Sequence, residues 1–427
     1  MKFPDTKTFL RFGAQPAVVA VLGIALVGYF AYHVTRFRLA GVWPLAPIGD
    51  ASILFEEGRR IFERGDYPGR VETWRTIGVF PYPPSAVLMF RWLGAAGPGL
   101  FMGAWFAAMA AGLVTTLRAS LAAERPDTRA AWLLIGAIAL IVADGPISWD
   151  LRNANSNLVC LGAILGAYAL RARHPALAGA LLALSIALKP YGGLLLVWLL
   201  LCGPRRGLLT CIGTLILLTV AWPILTWGTE GGVRLYLGWL EQLKIIADPQ
   251  VHIALAAALS GPPVVSLGEA AMALTGEDLL SPATQTVVGA MWMIWIAAIV
   301  WYSQRAVRSY PVAIPSRAAL ADWTVLLLAP LPFSPWLEPY HAIPMVPGAI
   351  LCVLVALDDG VSASDRRIAA AALLALGLTR MAELPFAMRG IVLLTQFLVV
   401  TVGLGLLRPH LSAIAAKESE APIRPQR

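Results

Sequence analysis

Four stretches of the chain carry no formal charge over a length that can cross a bilayer: Phe12 to Thr35, Trp92 to Leu117, Gly207 to Thr229 and Gly390 to Leu407. A membrane-spanning helix needs about 20 consecutive apolar residues. A water-soluble fold would have to bury several helices that are apolar on every face, which few cores do. The whole chain shares the bias, with 14% charged residues where soluble domains carry about 25%. The sequence therefore reads as an all-α, polytopic membrane protein.

Charge-poor runs predict about twelve spans, with cores near 14–34, 97–117, 130–145, 156–170, 176–188, 190–203, 208–227, 285–304, 319–335, 341–357, 367–384 and 388–407. Lys2, Lys7 and Arg11 precede the first. Arg118, Arg125 and Arg129, then Arg171 with Arg173, Arg205 with Arg206, and Arg305 with Arg308 and Arg317 fall in short connections on the same side. Lys and Arg collect on the cytoplasmic side, so both termini are expected there, with Arg408 and Lys417 placing the second. The net charge of +8 is thus a topological signal, and no basic run interleaved with aromatics points to nucleic acid. Long connections at 36–83 and 228–283, after spans one and seven, are expected on the outer face. Residues 1–410 read as one membrane domain and 411–427 as a disordered cytoplasmic tail. No small-residue cleavage site follows the first apolar stretch, which reads as an uncleaved span. Cys160, Cys202, Cys211 and Cys352 lie in or beside apolar stretches without CxxC spacing, as small buried hydrophobes do.

Polar residues that interrupt this pattern are the candidates for chemistry. Asp50 follows the first span and opens a segment in which Ile53, Leu54, Ile61 and Phe62 recur at helical spacing, as in an amphipathic helix lying in the interface. By residue chemistry alone Asp50 suits a helix N-cap as well as a base. Asp66 reads as a turn aspartate. Asp150-Leu-Arg-Asn-Ala-Asn-Ser-Asn157 is the densest polar cluster bordering a span. It fits a solvated turn, or a set of amides and a cation (Arg152, Asn153, Asn155, Asn157) suited to sugar hydroxyls or a phosphate. Lys189 interrupts an apolar run between Pro175 and Gly203. A lysine at a span centre costs about 2.5–3.5 kcal/mol on insertion scales, so it must snorkel or meet an anion such as a lipid phosphate. The break at Lys189-Pro190 is of the kind tolerated at membrane depth where it lines a cavity. In Ser334-Pro-Trp-Leu-Glu-Pro-Tyr-His341, Trp336 and Tyr340 suit the interfacial belt, while Glu338 and His341 add titratable groups. Arg380, Glu383 and Arg389 sit together near an outer span end, and His252 has no informative context.

Four segments resemble glycosyltransferase family 87, membrane enzymes of the GT-C type that include polyprenol-phosphate-mannose-dependent mannosyltransferases. They are Asp50 with Gly65-Asp66-Tyr67-Pro68 and Tyr82-Pro83-Pro84; Asn153-Ala-Asn-Ser-Asn157, where the family shows Gly-Gln-x-Asn; Ala178-Gly-Ala-Leu-Leu-Ala-Leu-Ser-Ile-Ala-Leu-Lys-Pro190; and Ser334-Pro-Trp through His341. The resemblance implies a GT-C fold with Asp50 as general base, Lys189 in the donor-binding region and His341 near the lipid phosphate. Arg152, Asn153, Asn157 and Tyr82 join Lys189 and His341 as expected donor phosphate and sugar contacts.

The expected activity is inverting transfer of a hexose, mannose by the resemblance, from a polyprenyl-phosphate donor to a glycolipid or glycan acceptor. The expected place is the outer face of a bacterial inner membrane, among its lipids. No nucleotide-sugar fold or Asp-x-Asp is evident in the sequence, so neither a nucleotide cofactor nor a metal is expected. A transporter or flippase of lipid-linked sugars would also carry intramembrane charges, but along a path reaching both faces. A non-catalytic partner that holds a lipid-linked sugar for another enzyme would not depend on Asp50.

Overall fold

A computed structural model describes residues 24, 27–28, 32, 53–67, 82–95, 97–121, 144–247, 275–276, 281–307, 316–329, 331, 339–358, 360–377 and 400–407. Among the described residues every regular element is helical. A π turn, Ile53–Glu57, leads into α1 (Gly58–Arg64). Then come α2 (Pro84–Gly94), α3 (Pro98–Ser120), α4 (Asp144–Asn153), α5 (Asn157–Leu170), α6 (Pro175–Leu188), α7 (Leu194–Cys202), α8 (Arg205–Ile216) and α9 (Trp222–Ala247). Helices α10 (Pro282–Val307), α11 (Arg317–Leu328), α12 (Met345–Ala356) and α13 (Ala363–Gly377) complete the set.

Proline writes many of the boundaries. Pro84, Pro98 and Pro175 stand at the first helical positions of α2, α3 and α6, where a missing N–H removes no helical bond. Pro190 acts in the opposite sense by excluding Lys189 from the helical region. Helix α6 accordingly stops at Leu188, Lys189 is extended (φ −151°, ψ 117°), and a 3₁₀ turn, Pro190–Gly193, re-enters α7. Pro223 has no N–H for the Thr219 carbonyl four residues earlier. The backbone widens into a π turn over Leu217–Ala221, and the Tyr236 hydroxyl donates to the Thr219 carbonyl instead.

That bond exists because the helical run folds back on itself. Gly228 takes φ 73° and ψ 170° inside α9, a conformation open chiefly to glycine. Gly232 then lies against Ile224. Residues 228–247, expected to begin the second outer connection, are therefore a helical return arm. The apolar arm from Arg205 to the bend is roughly 34 Å long at 1.5 Å per residue, enough to cross a bilayer. Helix α3 also qualifies by length and composition. The count of about twelve spans extends over residues outside the described set. Along the outward faces Leu225 is 82% and Ile294 71% exposed. Apolar surface in that amount calls for lipid around it.

The bundle interior is closed by small residues. A Cβ on Gly112 of α3 would lie 2.2 Å from the Leu158 carbonyl of α5, and one on Gly162 would lie 2.4 Å from the Gly112 Cα. Gly179 of α6 meets the Gly207 carbonyl of α8 in the same way, at 2.1 Å. Such close backbone approach is how helices associate where lipid removes the hydrophobic drive. Helix α5 also packs on α6, and α12 packs on α3, α11 and α13.

Helix α1 packs onto the rest of the protein. Ile61 is buried, and Phe62 packs on Trp227 with ring centroids 5.6 Å apart. The side chains of Ile53 and Leu54 lie outside the described set. Gly65 (φ 64°) ends the helix in the left-handed region. Trp227 Nε1 donates to the Phe62 carbonyl and Arg234 Nε to the Gly65 carbonyl, each at 3.3 Å. These are C-terminal carbonyls that α1 cannot satisfy internally.

Candidate active site

The first connection, the α4–α5 turn and the end of α6 converge on Lys189. Lys189 Nζ donates to Asn157 Oδ1 at 2.7 Å and to Asn155 Oδ1 at 3.2 Å, and it stands 6.0 Å from the Tyr82 ring centroid. Behind Asn157 is Asp150. Its Oδ1 accepts from Asn157 Nδ2 at 2.9 Å and its Oδ2 from the Leu158 backbone N–H at 3.0 Å. Asp150, Asn155 and Asn157 are 0%, 1% and 2% exposed, which rules out the solvated-turn reading of this cluster. Lys189 itself is half-buried.

The turn is built to hold these groups. Asp144–Asn153 forms a helix that takes in the first half of the Asp150–Asn157 cluster, so Asp150 sits in its last turn, beneath the start of α5. Ala154 then takes φ 47°, an uncommon choice for a residue with a Cβ. Trp105 Nε1 holds it there through the Ala154 carbonyl at 2.8 Å, and the Asn155 N–H donates to the Asp150 carbonyl at 3.0 Å. A carboxylate at the N-terminus of α5 also matches the helix dipole.

The aromatic side of the site comes from the first connection. Tyr82 and Ser156 hydroxyls share a hydrogen bond of 3.3 Å, and the Ser156 N–H donates to Asn155 Oδ1 at 2.7 Å. Tyr67 OH donates to the Tyr82 carbonyl at 2.8 Å. Burial pushes the Tyr67 phenol well above its ordinary range, with Tyr236 adding to the shift, so Tyr67 remains a proton donor. Ser85 Oγ donates to the Ala187 carbonyl at 2.7 Å and ties α2 to the last turn of α6 beside Lys189. A hydrogen-bonded path thus runs from Tyr67 through Tyr82, Ser156 and Asn155 to Lys189, and on through Asn157 to Asp150.

The expected site residues divide accordingly. Tyr82, Asn157 and Lys189 come together. Asn153 turns away to donate to the Trp149 carbonyl at 3.0 Å. Arg152 lies on α4 between them, its side chain outside the described set. His341 is on a 3₁₀ turn, Pro339–Ala342, that packs against α4. Asp50 lies outside the described residues. Asn155, read in the sequence as one of the amides suited to a sugar or phosphate, joins the network, and Asp150, Ser156 and Tyr67 enter it although the sequence marked them only as parts of motifs. Among the described residues no three His, Cys, Asp or Glu side chains gather into a metal-holding group.

The model of glycosyltransferase family 87 matches residues 80–335, more than half of the chain. The chain belongs to glycosyltransferase family 87. No curated protein matches it, and no solved structure does. The family 87 segment contains Tyr82, the whole Asp150–Asn157 turn and Lys189, whereas Asp50, Tyr67 and His341 lie beyond its limits. Membership makes this a glycosyltransferase, acting on a sugar donor and an acceptor.

Proposed function

We propose that this family 87 member transfers a hexose, mannose in our reading, from a polyprenyl-phosphate donor to a glycolipid or glycan acceptor at the outer face of a bacterial inner membrane. The observation that carries the reading is Lys189. A cation held beside a span break, with its direction fixed by two amide oxygens and an aromatic face alongside, suits a lipid phosphate. In the reaction the acceptor oxygen attacks the anomeric carbon as the bond from that carbon to the phosphate oxygen breaks. Asp50 takes the acceptor proton, and the electron pair leaves with the polyprenyl phosphate. One displacement inverts the anomeric centre. Lys189, Arg152 and His341 stabilise the charge that grows on the phosphate, where fixed donors count most. Tyr82 serves the sugar end of the donor, while Asn157 holds Lys189.

The test uses the full chain in lipid nanodiscs, supplied with polyprenyl-phosphate mannose and membrane glycolipid extract. Transfer by wild type, reduced about 10²–10⁴-fold in Asp50→Asn, is the expected result for loss of a general base. An Asp50→Asn protein as active as wild type removes Asp50 from the mechanism. A wild type that binds the donor and transfers nothing turns the reading toward transport or donor handling.

A further inference from the structure

The two asparagines that accept from the Lys189 ammonium are anchored to the same residue. Asp150 takes the Asn155 N–H on its backbone carbonyl and the Asn157 side-chain amide on its carboxylate. A primary amide has a donor end and an acceptor end, and in Asn157 the two face opposite charges. Its nitrogen meets the Asp150 carboxylate at 2.9 Å and its oxygen meets the Lys189 ammonium at 2.7 Å. Turned over, the amide would set NH₂ against the ammonium and oxygen against the carboxylate, with both contacts repulsive. The other Asp150 oxygen is held by the Leu158 N–H, so the carboxylate has a fixed direction of its own.

We propose that Asp150 is a positioning residue for the transfer reaction. It fixes the orientation of Asn157 and thereby aims the Lys189 ammonium. The proposal rests on the reading that Lys189 engages the donor phosphate. Its link to Lys189 can be tested separately. A simple cap on α5 would use the bond from Leu158 and would be indifferent to which way Asn157 points.

The test is a pair of reciprocal substitutions in the full chain in nanodiscs, Asp150→Asn and Asn157→Asp, alone and combined. Alone, Asp150→Asn leaves one donor without an acceptor. Alone, Asn157→Asp sets two carboxylates face to face. Combined, the new amide at 150 donates to the new carboxylate at 157, still accepts from the Leu158 N–H, and restores an acceptor for Lys189. Two quantities are read: kcat/KM for polyprenyl-phosphate mannose, and the rate at which acetic anhydride modifies Lys189, followed by peptide mass spectrometry. Each single change is expected to lower kcat/KM by about 10²-fold, the scale of a small misplacement of a catalytic group. Asp150→Asn, which frees the Asn157 amide to turn, should also speed Lys189 acetylation several-fold, whereas Asn157→Asp keeps a carboxylate on the ammonium and should not. The combined protein should return kcat/KM to within about threefold of wild type, a factor worth under 1 kcal/mol, and keep Lys189 at least as protected as in wild type.

An Asp150→Asn variant with unchanged acetylation overturns the proposal, as does a combined variant with kcat/KM no better than the worse single one. A harmless Asn157→Asp assigns Asp150 to capping alone and overturns it as well. Should a single variant fail to accumulate, Lys189 protection in the combined variant decides alone: wild-type protection sustains the proposal and its loss overturns it. If wild type transfers no sugar from this donor, the proposed function falls, while the acetylation rates still decide what Asp150 does.

Discussion

Helix α5 has a cation at each end, and only one of them is explained by the helix. At the C-terminal end Arg171, 2% exposed, donates to the Tyr168 carbonyl and lies with its guanidinium 4.2 Å from the Tyr168 ring centroid. A cation there satisfies a last-turn carbonyl and meets the negative end of the dipole. Tyr168 extends the latch, since its hydroxyl donates to the Ser316 carbonyl at 2.8 Å and accepts the Ser316 N–H at 3.0 Å, at the start of α11. Lys189 stands at the other end, the positive one, where the dipole opposes it. Asp150 and two asparagines offset that opposition, and an apolar residue would need none of them. On the proposed function, these groups that the fold itself would not ask for serve the chemistry.

This contrast yields predictions that can break it. Lys189→Met should reduce sugar transfer by about 10²–10³-fold, the usual cost of removing one fixed transition-state donor. The same variant should also melt lower, because the buried Asp150 carboxylate and two amide oxygens lose their cation, so turnover is read per folded molecule. Melting in detergent together with donor turnover measures both, and a folded Lys189→Met that keeps its turnover would make the two cations alike. Gly112→Ala attacks the N-terminal end of α5 directly. Its Cβ would meet the Leu158 carbonyl at 2.2 Å, and overpacking of this kind costs about 1–3 kcal/mol or more. Activity and melting temperature should fall together, since Leu158 is also a partner of Asp150.

Arg171→Met should differ from Lys189→Met in sparing turnover. Loss of the dipole contact and the cation–π stack should lower stability by about 1–2 kcal/mol, with turnover of the folded protein within about threefold of wild type. A large drop in turnover at full stability would place Arg171 among the functional cations. Tyr67→Phe has the smallest effect, about 1 kcal/mol for one buried hydrogen bond, seen as a modest loss of turnover. Its alkaline behaviour adds a signature. The folded phenol holds its proton above the ordinary tyrosine range, so the unfolded chain ionises first. Wild-type stability should therefore decline as pH rises past about 10, and Tyr67→Phe should decline less steeply.

Lys189 was legible because a charge inside an apolar run is costly wherever it lands, and Pro190 fixes the break beside it. The link from Tyr67 to Tyr82 was not, since a proline-rich connection separates them and no periodicity carries across it. Asp150-Leu-Arg-Asn153, the start of the cluster that suited a solvated turn, closes a helix, Asp144–Asn153, that packs against the His341 turn, a contact far apart in sequence. Arg171 served the sequence reading only as a marker of side, because charge counting does not distinguish a solvated arginine from a latch. The return arm after Gly228 was read as the start of the second outer connection. Gly228 makes the bend, and Gly232 lets the arms close.

The bend at Gly228 reaches further than its own arms. Trp227 lies on one side of it and Arg234 on the other, and both grip carbonyls at the end of α1. The first connection is thus riveted across an elbow, and its position is set by the elbow's angle. Adding or deleting a residue between Trp227 and Arg234 would rotate one rivet about 100° around the helix axis relative to the other. The chain can lengthen its loops elsewhere, but this short interval works as a gauge block.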